Sequence, residues 1–163
     1  MTGTQAGDGG KDSLVADCPE RGECVDILLV EDNPGDVKLT KKAFEKASVE
    51  ARIEVTADGV EALDYLHERN DQSDALVPDL ILLDLNLPKK SGYEVLAEIK
   101  SDPDLRRIPV VILTSSESES DVIDTYDDHA NAYLTKPVSF AGFQEVVEKI
   151  EGFWFCVSKL PPR

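Results

Sequence analysis

The stretch LLVEDNPGD, from Leu28 to Asp36, decides the fold and raises the first question about function. An apolar run enters two adjacent carboxylates, Glu31 and Asp32, and the chain then turns at once through Asn, Pro and Gly. Neighbouring acids repel each other, and neither is buried for the sake of packing. The stretch therefore predicts a buried strand that ends in a turn, where the acidic pair faces a positive charge.

Apolar runs alternate with helix-like segments from Val25 onward. Most of the runs are continuous in Val, Ile and Leu, which is typical of strands in a parallel sheet covered on both faces. The strand-like runs are Asp26–Val30, Arg52–Thr56, Leu80–Leu83, Ile108–Leu113 and Ala132–Leu134. Helices are expected from about Pro34 to Ala47, Gly59 to Arg69, Ser91 to Ser101, and Phe140 towards Val157. The alternation predicts a doubly wound α/β sheet with right-handed crossovers and helices on both faces.

Composition narrows the classes of protein to consider. The 163 residues, 41% hydrophobic and 31% charged, fit one soluble domain over residues 25–157. Residues 1–24 are expected to be a disordered acidic leader, and residues 158–163 a C-terminal tail. No membrane helix or signal peptide is evident, which predicts a cytoplasmic protein. The net charge of -16 argues against direct binding to nucleic acid.

Polar side chains follow four of the strands, at the sheet edge where ligands bind in such folds. Glu31 and Asp32 follow the first strand, and Asp84 follows the third. The fourth strand, PVVILTSS, delivers Thr114, and the fifth, AYLTKP, delivers Lys136. Any one of these residues alone is commonly a cap, a loop residue or a β-former. Their joint occurrence in chain order predicts a functional site.

Three carboxylates without a nearby His or Cys favour Mg²⁺. A carboxylate beside Mg²⁺ can attack phosphorus and form an acyl phosphate, and Asp84 is the natural nucleophile because it ends the central strand. Lys136 and the metal would spread the charge on the phosphoryl group, and Thr114 could hydrogen-bond one of its oxygens.

Four segments, ILLVEDNPGD, PDLILLDLNLPKKSGYEVL, IPVVILTSS and AYLTKPV, resemble the receiver domain of two-component response regulators. The resemblance covers the chain from Val25 to about Val157. It implies a CheY-like, flavodoxin-like fold with a five-stranded parallel sheet in the order 2-1-3-4-5. It also implies a sensor histidine kinase as phosphoryl donor, and a switch that catalyses only its own phosphotransfer and dephosphorylation, not an enzyme.

The resemblance also implies a role for each site residue. Asp84 would be the phosphoacceptor, with Thr114 and Lys136 on the phosphoryl group. Tyr133 falls at the aromatic switch position and would act with Thr114, although an ordinary half-buried strand tyrosine is the alternative. The family's Lys-Pro turn implies a cis bond between Lys136 and Pro137.

For the metal, the resemblance implies a Mg²⁺ site built around the same acids. Asp32 would be a direct ligand and Glu31 would often act through water. Asp84 would be a ligand too, and Asn86, two residues past it, would contribute its backbone carbonyl.

Three features resemble the small stand-alone receivers related to cyanobacterial phytochrome response regulators. They are the segment EDNPGDVKLT, the longer stretch before VPDLILLDLNLP, and the ending VVEKIEGFWFCVSKLP. Similar proteins occur in halophilic archaea, which would suit the acidic surface. We expect no output domain after Arg163, so the signal would pass by protein–protein contact. The last helix carries three successive aromatic residues, Phe153, Trp154 and Phe155, which cannot all face one core, so at least one should point away from the sheet. A single exposed aromatic residue is ordinary. The resemblance favours the last helix as a signalling face, so we expect a homodimer, or a monomer ready to dimerise, through these residues.

Three other classes of function are alternatives for the same residues. A phosphatase or phosphotransferase with an Asp nucleophile would have a second Asp two residues on, where Asn86 stands. A flavin- or nucleotide-binding module would have a Gly-rich or hydroxyl-rich loop after the first strand, where this chain has acids. A receiver-like interaction module that works without phosphorylation is disfavoured by the intact acids, Thr114 and Lys136, but stays open.

Overall fold

A computed structural model of the chain describes residues 25–47, 50–71, 77–115, 129–137 and 139–152. The elements are β1 Val25–Val30, α1 Pro34–Glu45, β2 Ala51–Thr56, α2 Gly59–Asp71, β3 Leu80–Leu83, α3 Gly92–Ser101, β4 Val110–Thr114, β5 Ala132–Thr135 and α4 Phe140–Ile150. The expected disordered leader, the C-terminal tail and the aromatic residues Phe153, Trp154 and Phe155 all lie outside the described residues.

The five strands form one parallel sheet in the order β2-β1-β3-β4-β5. This is the predicted order 2-1-3-4-5, so the fold prediction is confirmed. In the central strands Val30 lies opposite Leu83, and Leu83 lies opposite Ile112. Every residue of β3 and β4 is buried, as their continuous apolar sequences predicted.

The two faces of the sheet bury two separate apolar clusters, because successive strand residues point to opposite sides. One cluster joins the sheet to α2 and α3, and its members include Leu28, Val30, Leu66, Ile81, Leu83, Leu96, Ile99 and Ile112. The other joins the sheet to α1 and α4, and its members include Ile27, Leu29, Phe44, Leu80, Leu82, Val111, Phe143 and Val147. Helices therefore cover both faces, as a doubly wound fold requires.

Local chemistry explains where the helices next to the site begin. The Asn33 side chain accepts hydrogen bonds from the backbone of Gly35 and Asp36, and Pro34 occupies the first turn, so α1 starts directly after the acidic pair. Ser91 and Glu94 form a capping box at the start of α3. The strand β4 begins at Val110 and not at Ile108, because Pro109 has no N–H for the ladder.

Gly92 sets how closely α3 approaches the end of β3. A Cβ atom there would lie 2.2 Å from the backbone oxygen of Asp84 and 2.6 Å from Cα of Leu85. Backbone atoms cannot move aside as a flexible side chain can, so only glycine fits at this position.

We predict that Gly92→Ala lowers the free energy of unfolding by roughly 1–3 kcal/mol, the usual cost of overpacking. Gly152→Ala is the matched control, since a Cβ atom at Gly152 would meet nothing within 4 Å. Urea unfolding followed by circular dichroism measures both variants. Equal stability of the two would contradict the close approach of α3 to Asp84.

Candidate functional site

The strand ends bring the predicted site residues to one edge of the sheet. The ladder extends one step past two of the strands, since the Asp84 N–H donates to the Val30 carbonyl at 3.1 Å and the Lys136 N–H donates to the Thr114 carbonyl at 2.8 Å. Thr114 is the fully buried last residue of β4. The backbone thus fixes the phosphoacceptor candidate after β3 and the amine candidate after β5, at the same edge of the sheet and on either side of β4.

The Lys136 ammonium lies at the centre of the site and contacts three carboxylates. Its Nζ is 2.5 Å from Glu31 Oε1, 2.9 Å from Asp36 Oδ2 and 3.2 Å from Asp84 Oδ2. An ammonium has three N–H donors, so three carboxylates saturate it. The side chains of Lys136, Glu31 and Asp84 are 8%, 4% and 7% exposed, so water contributes little to solvating these charges.

Glu31, Asp32 and Asp84 each bring one carboxylate oxygen within 4.8 Å of the others. With Asp36 the group has four carboxylates and the single Lys136 ammonium, so three negative charges are uncompensated when all four acids are ionised. Glu31 and Asp84 are buried and Asp32 is exposed, so the group opens to solvent on the Asp32 side. A set of hard oxygen donors with surplus negative charge fits a divalent cation.

The pKa of Glu31 reflects this surplus of negative charge. Burial, with a contribution from the charge of Asp84, raises the pKa of Glu31 to about 7, although its hydrogen bond with Lys136 opposes the shift. Burial alone would lower the pKa of Lys136, but its hydrogen bonds to Glu31 and Asp36 and the charge of Asp84 raise it above the ordinary lysine value. Lys136 therefore stays charged, and Glu31 is the acid that holds a proton near neutral pH.

The loop after β3 is tied down around Asp84. The Asn86 N–H donates to Asp84 Oδ1 at 3.4 Å, a long hydrogen bond. Lys89 adopts a left-handed backbone with φ 67° and pairs with Asp58 at 3.5 Å. Asn86 itself is exposed, and its backbone carbonyl as a metal ligand stays a prediction.

Thr114 and Tyr133 lie on the same face of the sheet. Ile112 is opposite Tyr133 in the register, and Thr114 is opposite Thr135, two residues further along both strands. Tyr133 is half-buried and packs against the cluster that contains Ile112. The placement agrees with a coupled pair, but the switch role of both residues stays a prediction.

The Lys136–Pro137 peptide bond is trans, so the expectation of a cis bond is wrong for this structure. That expectation assumed that a cis bond is needed to direct Lys136 into the crevice. The lysine reaches all three carboxylates from a trans bond, because its four-carbon chain spans the distance from the loop after β5.

Asp36 is the site residue that the sequence analysis missed. It ends the stretch LLVEDNPGD, yet no role was assigned to it, since a lone acid in the first turn of a helix is common for its favourable interaction with the helix dipole. The available signal was a third acid within five residues of the acidic pair. That signal does not reveal a contact with a lysine 100 residues away in the chain.

The family follows from comparison with known proteins. A model of the response regulator receiver domain matches residues 27–148. The chain belongs to this family.

Relatives and solved structures agree with that family. Response regulator Rcp1 of Synechocystis sp. is 45% identical over 135 residues, which cover 83% of this chain and 92% of Rcp1. The probable methanogenesis regulatory protein FilR2 of Methanothrix harundinacea is 46% identical over 137 residues, 83% of this chain and 86% of FilR2. The crystal structure of the phosphorylated cyanobacterial phytochrome response regulator RcpA has a TM-score of 0.79 at 46% identity, and covers 86% of this chain and 100% of RcpA.

The expected likeness to phytochrome-associated receivers is therefore confirmed. The Mn²⁺-bound form of Rcp1 has a TM-score of 0.76 at 44% identity, covering 85% of this chain and 99% of that one. This receiver is part of two-component signalling and is not a classical enzyme. None of the helices in the described ranges is long and apolar enough to cross a membrane. A halophilic archaeal source stays a prediction.

The raised pKa of Glu31 predicts how pH affects the metal-free protein. Because the folded chain holds this proton more tightly than the unfolded chain, the stabilising contribution is complete below about pH 4.5 and is lost as pH rises through about 7. Glu31→Gln mimics the protonated acid and lacks this loss. We expect the wild type to lose melting temperature relative to Glu31→Gln between about pH 5 and about pH 8 in EDTA. A pH-independent difference between the two would contradict the shift.

Proposed function

We propose that this receiver accepts a phosphoryl group on Asp84 from a sensor histidine kinase, with Mg²⁺ bound by the neighbouring acids. The observation that carries the proposal is the contact of the buried Asp84 carboxylate with Lys136 inside the three-acid group. The phosphorylated state described for RcpA supports it by similarity. The signal then passes to a partner by protein–protein contact in the cytoplasm.

The chemistry is an exchange of phosphoryl acceptors. An oxygen of the Asp84 carboxylate attacks phosphorus, and a new P–O bond forms as the P–N bond of the kinase phosphohistidine breaks. The histidine nitrogen leaves with the electron pair and takes up a proton. Lys136 neutralises charge on the phosphoryl oxygens, and the Thr114 hydroxyl donates a hydrogen bond to one of them. Hydrolysis of the acyl phosphate by water resets the switch.

Asp32 and Asp84 would hold Mg²⁺ directly, Glu31 through water, and Asn86 through its backbone carbonyl. When bound, the cation supplies positive charge that offsets the surplus of the carboxylates and of the incoming phosphoryl group. The oxygen-only donor set supports this choice, and the Mn²⁺-bound form of Rcp1 supports a divalent cation by similarity.

The proposed output is a rearrangement of the Thr114–Tyr133 face. A phosphoryl group on Asp84 that accepts a hydrogen bond from the Thr114 hydroxyl would draw that side chain toward Asp84, and the space it leaves would admit the Tyr133 ring. In the alternative, a phosphorylation-independent interaction module, the position of the Tyr133 ring would not change when Asp84 is phosphorylated.

Incubation with acetyl phosphate and Mg²⁺ tests the phosphoacceptor. Intact-mass spectrometry should detect one hydroxylamine-sensitive phosphoryl group in the wild type, and none in Asp84→Asn or in EDTA. Asp104→Asn is the matched control, because Asp104 precedes β4 at the opposite edge of the sheet, and it should be modified like the wild type. Modification of Asp84→Asn, or none in the wild type, would overturn the proposal.

We also propose a homodimer surface at Phe153, Trp154 and Phe155, which rests on the sequence alone. Sedimentation velocity with beryllofluoride and Mg²⁺ should detect a wild-type dimer that Trp154→Ala and Phe155→Ala weaken. Val60→Ala, which truncates an exposed residue of α2, is the control and should dimerise normally. Monomers in every sample, or dimers unaffected by the aromatic substitutions, would exclude this surface.

A further inference from the structure

The three carboxylate partners of Lys136 differ in what else they do. Glu31 and Asp84 belong to the acidic group that fits a cation, whereas Asp36 does not. A cation or phosphoryl group at those acids would compete with the ammonium for Glu31 and Asp84. The contact between Lys136 and Asp36, at 2.9 Å, is the one that this competition leaves in place.

Asp36 is held firmly enough to serve as an anchor. Its N–H donates to Asn33 Oδ1 at 3.1 Å, and its carbonyl accepts a hydrogen bond from Thr40 Oγ1 at 2.8 Å. It lies in the first turn of α1, where the helix dipole favours a negative charge. Its side chain is 27% exposed, so solvent screens the pair with Lys136 only partly.

We propose that Asp36 is a positioning residue for phosphoryl transfer, and that its carboxylate keeps the Lys136 ammonium beside the phosphoacceptor when the other two acids are engaged. The inference rests on the proposed role of Asp84. Lysine has a long flexible chain, so an ammonium with one fixed partner is confined far better than one without. Asp36 reaches it from α1, across 100 residues of sequence, and so joins the first and last strand ends of the site.

An opposite role for Asp36 makes an opposite prediction. If Asp36 only withdrew Lys136 from the phosphoryl group, its removal would free the amine and speed the reaction. The burial of Lys136 favours the anchor, because an ammonium that is 8% exposed gains little from water when it loses a carboxylate partner.

The experiment compares rate constants of phosphorylation by acetyl phosphate at saturating Mg²⁺. In this reaction an Asp84 oxygen–phosphorus bond forms as the phosphorus–oxygen bond to acetate breaks, and acetate leaves. Asp36→Ala and Asp36→Ser truncate the anchor, and Asp36→Asn keeps an oxygen acceptor without the charge. Asp26→Ala is the matched control, since Asp26 pairs with Arg52 at 2.8 Å at the other end of the sheet.

We expect Asp36→Ala and Asp36→Ser to lower the rate constant on the order of tenfold. Asp36→Asn should recover part of the loss, and Asp26→Ala should match the wild type. An unchanged or faster rate in the truncated variants, or no recovery in Asp36→Asn, would overturn the proposal. Absence of phosphorylation in the wild type would instead refute the proposed function.

A second readout does not depend on turnover. ¹⁵N NMR of the lysine ammonium groups in protein saturated with Mg²⁺ should resolve the Lys136 signal in the wild type, since Asp36 still holds the ammonium when the cation engages the other two carboxylates. The signal should broaden in Asp36→Ala and persist in Asp26→Ala, while thermal melting shows both variants folded. A Lys136 signal unaffected by Asp36→Ala would also overturn the anchor.

Discussion

One buried ammonium among four carboxylates is the constraint on which this site depends. Lys136 compensates part of a negative charge that would otherwise push the ends of β1 and β3 and the start of α1 apart. Removal of a partner from such a cluster usually costs far more than the pair contributes, because the remaining charge is stranded. The cluster therefore holds the strand ends together, yet its surplus charge keeps it open to a cation.

The parallel sheet is what makes this cluster possible. All strands run in the same direction, so each one delivers its terminal residue to the same edge. The buried apolar residues of β1, β3 and β4 hold the backbone of these strands rigid. A polar residue that comes directly after the apolar run of its strand is therefore placed at the site. The backbone positions of a site on rigid strand ends are set by the register of the strands.

A structural feature could be predicted from the sequence when residues close together in the chain determine it. Continuous Val, Ile and Leu runs decide the sheet, and strand ends decide that Glu31, Asp84 and Lys136 meet. The start of β4 was predicted two residues early because hydrophobicity does not record the missing N–H of Pro109. The contact of Asp36 with Lys136 depends on the pitch of α1 against the sheet and on two side-chain rotamers. Neither the placement of the helix nor the rotamers can be predicted from a short segment of sequence.

The proposed Thr114–Tyr133 switch also combines a feature that the strand register fixes with one that depends on tertiary packing. Thr114 and Tyr133 share a face because both strands alternate with a period of two, a relation fixed by register. Their coupling would need more: a Thr114 side chain with a reason to move, and a ring free to follow. The ring packs against the cluster built on Ile112, so a shift of Tyr133 would change contacts within the core and not at the surface alone. Close-packed cores respond to such a change by switching between arrangements, since they do not deform continuously. Under the proposed function, a phosphoryl group on Asp84 would act on this packing through its hydrogen bond with Thr114.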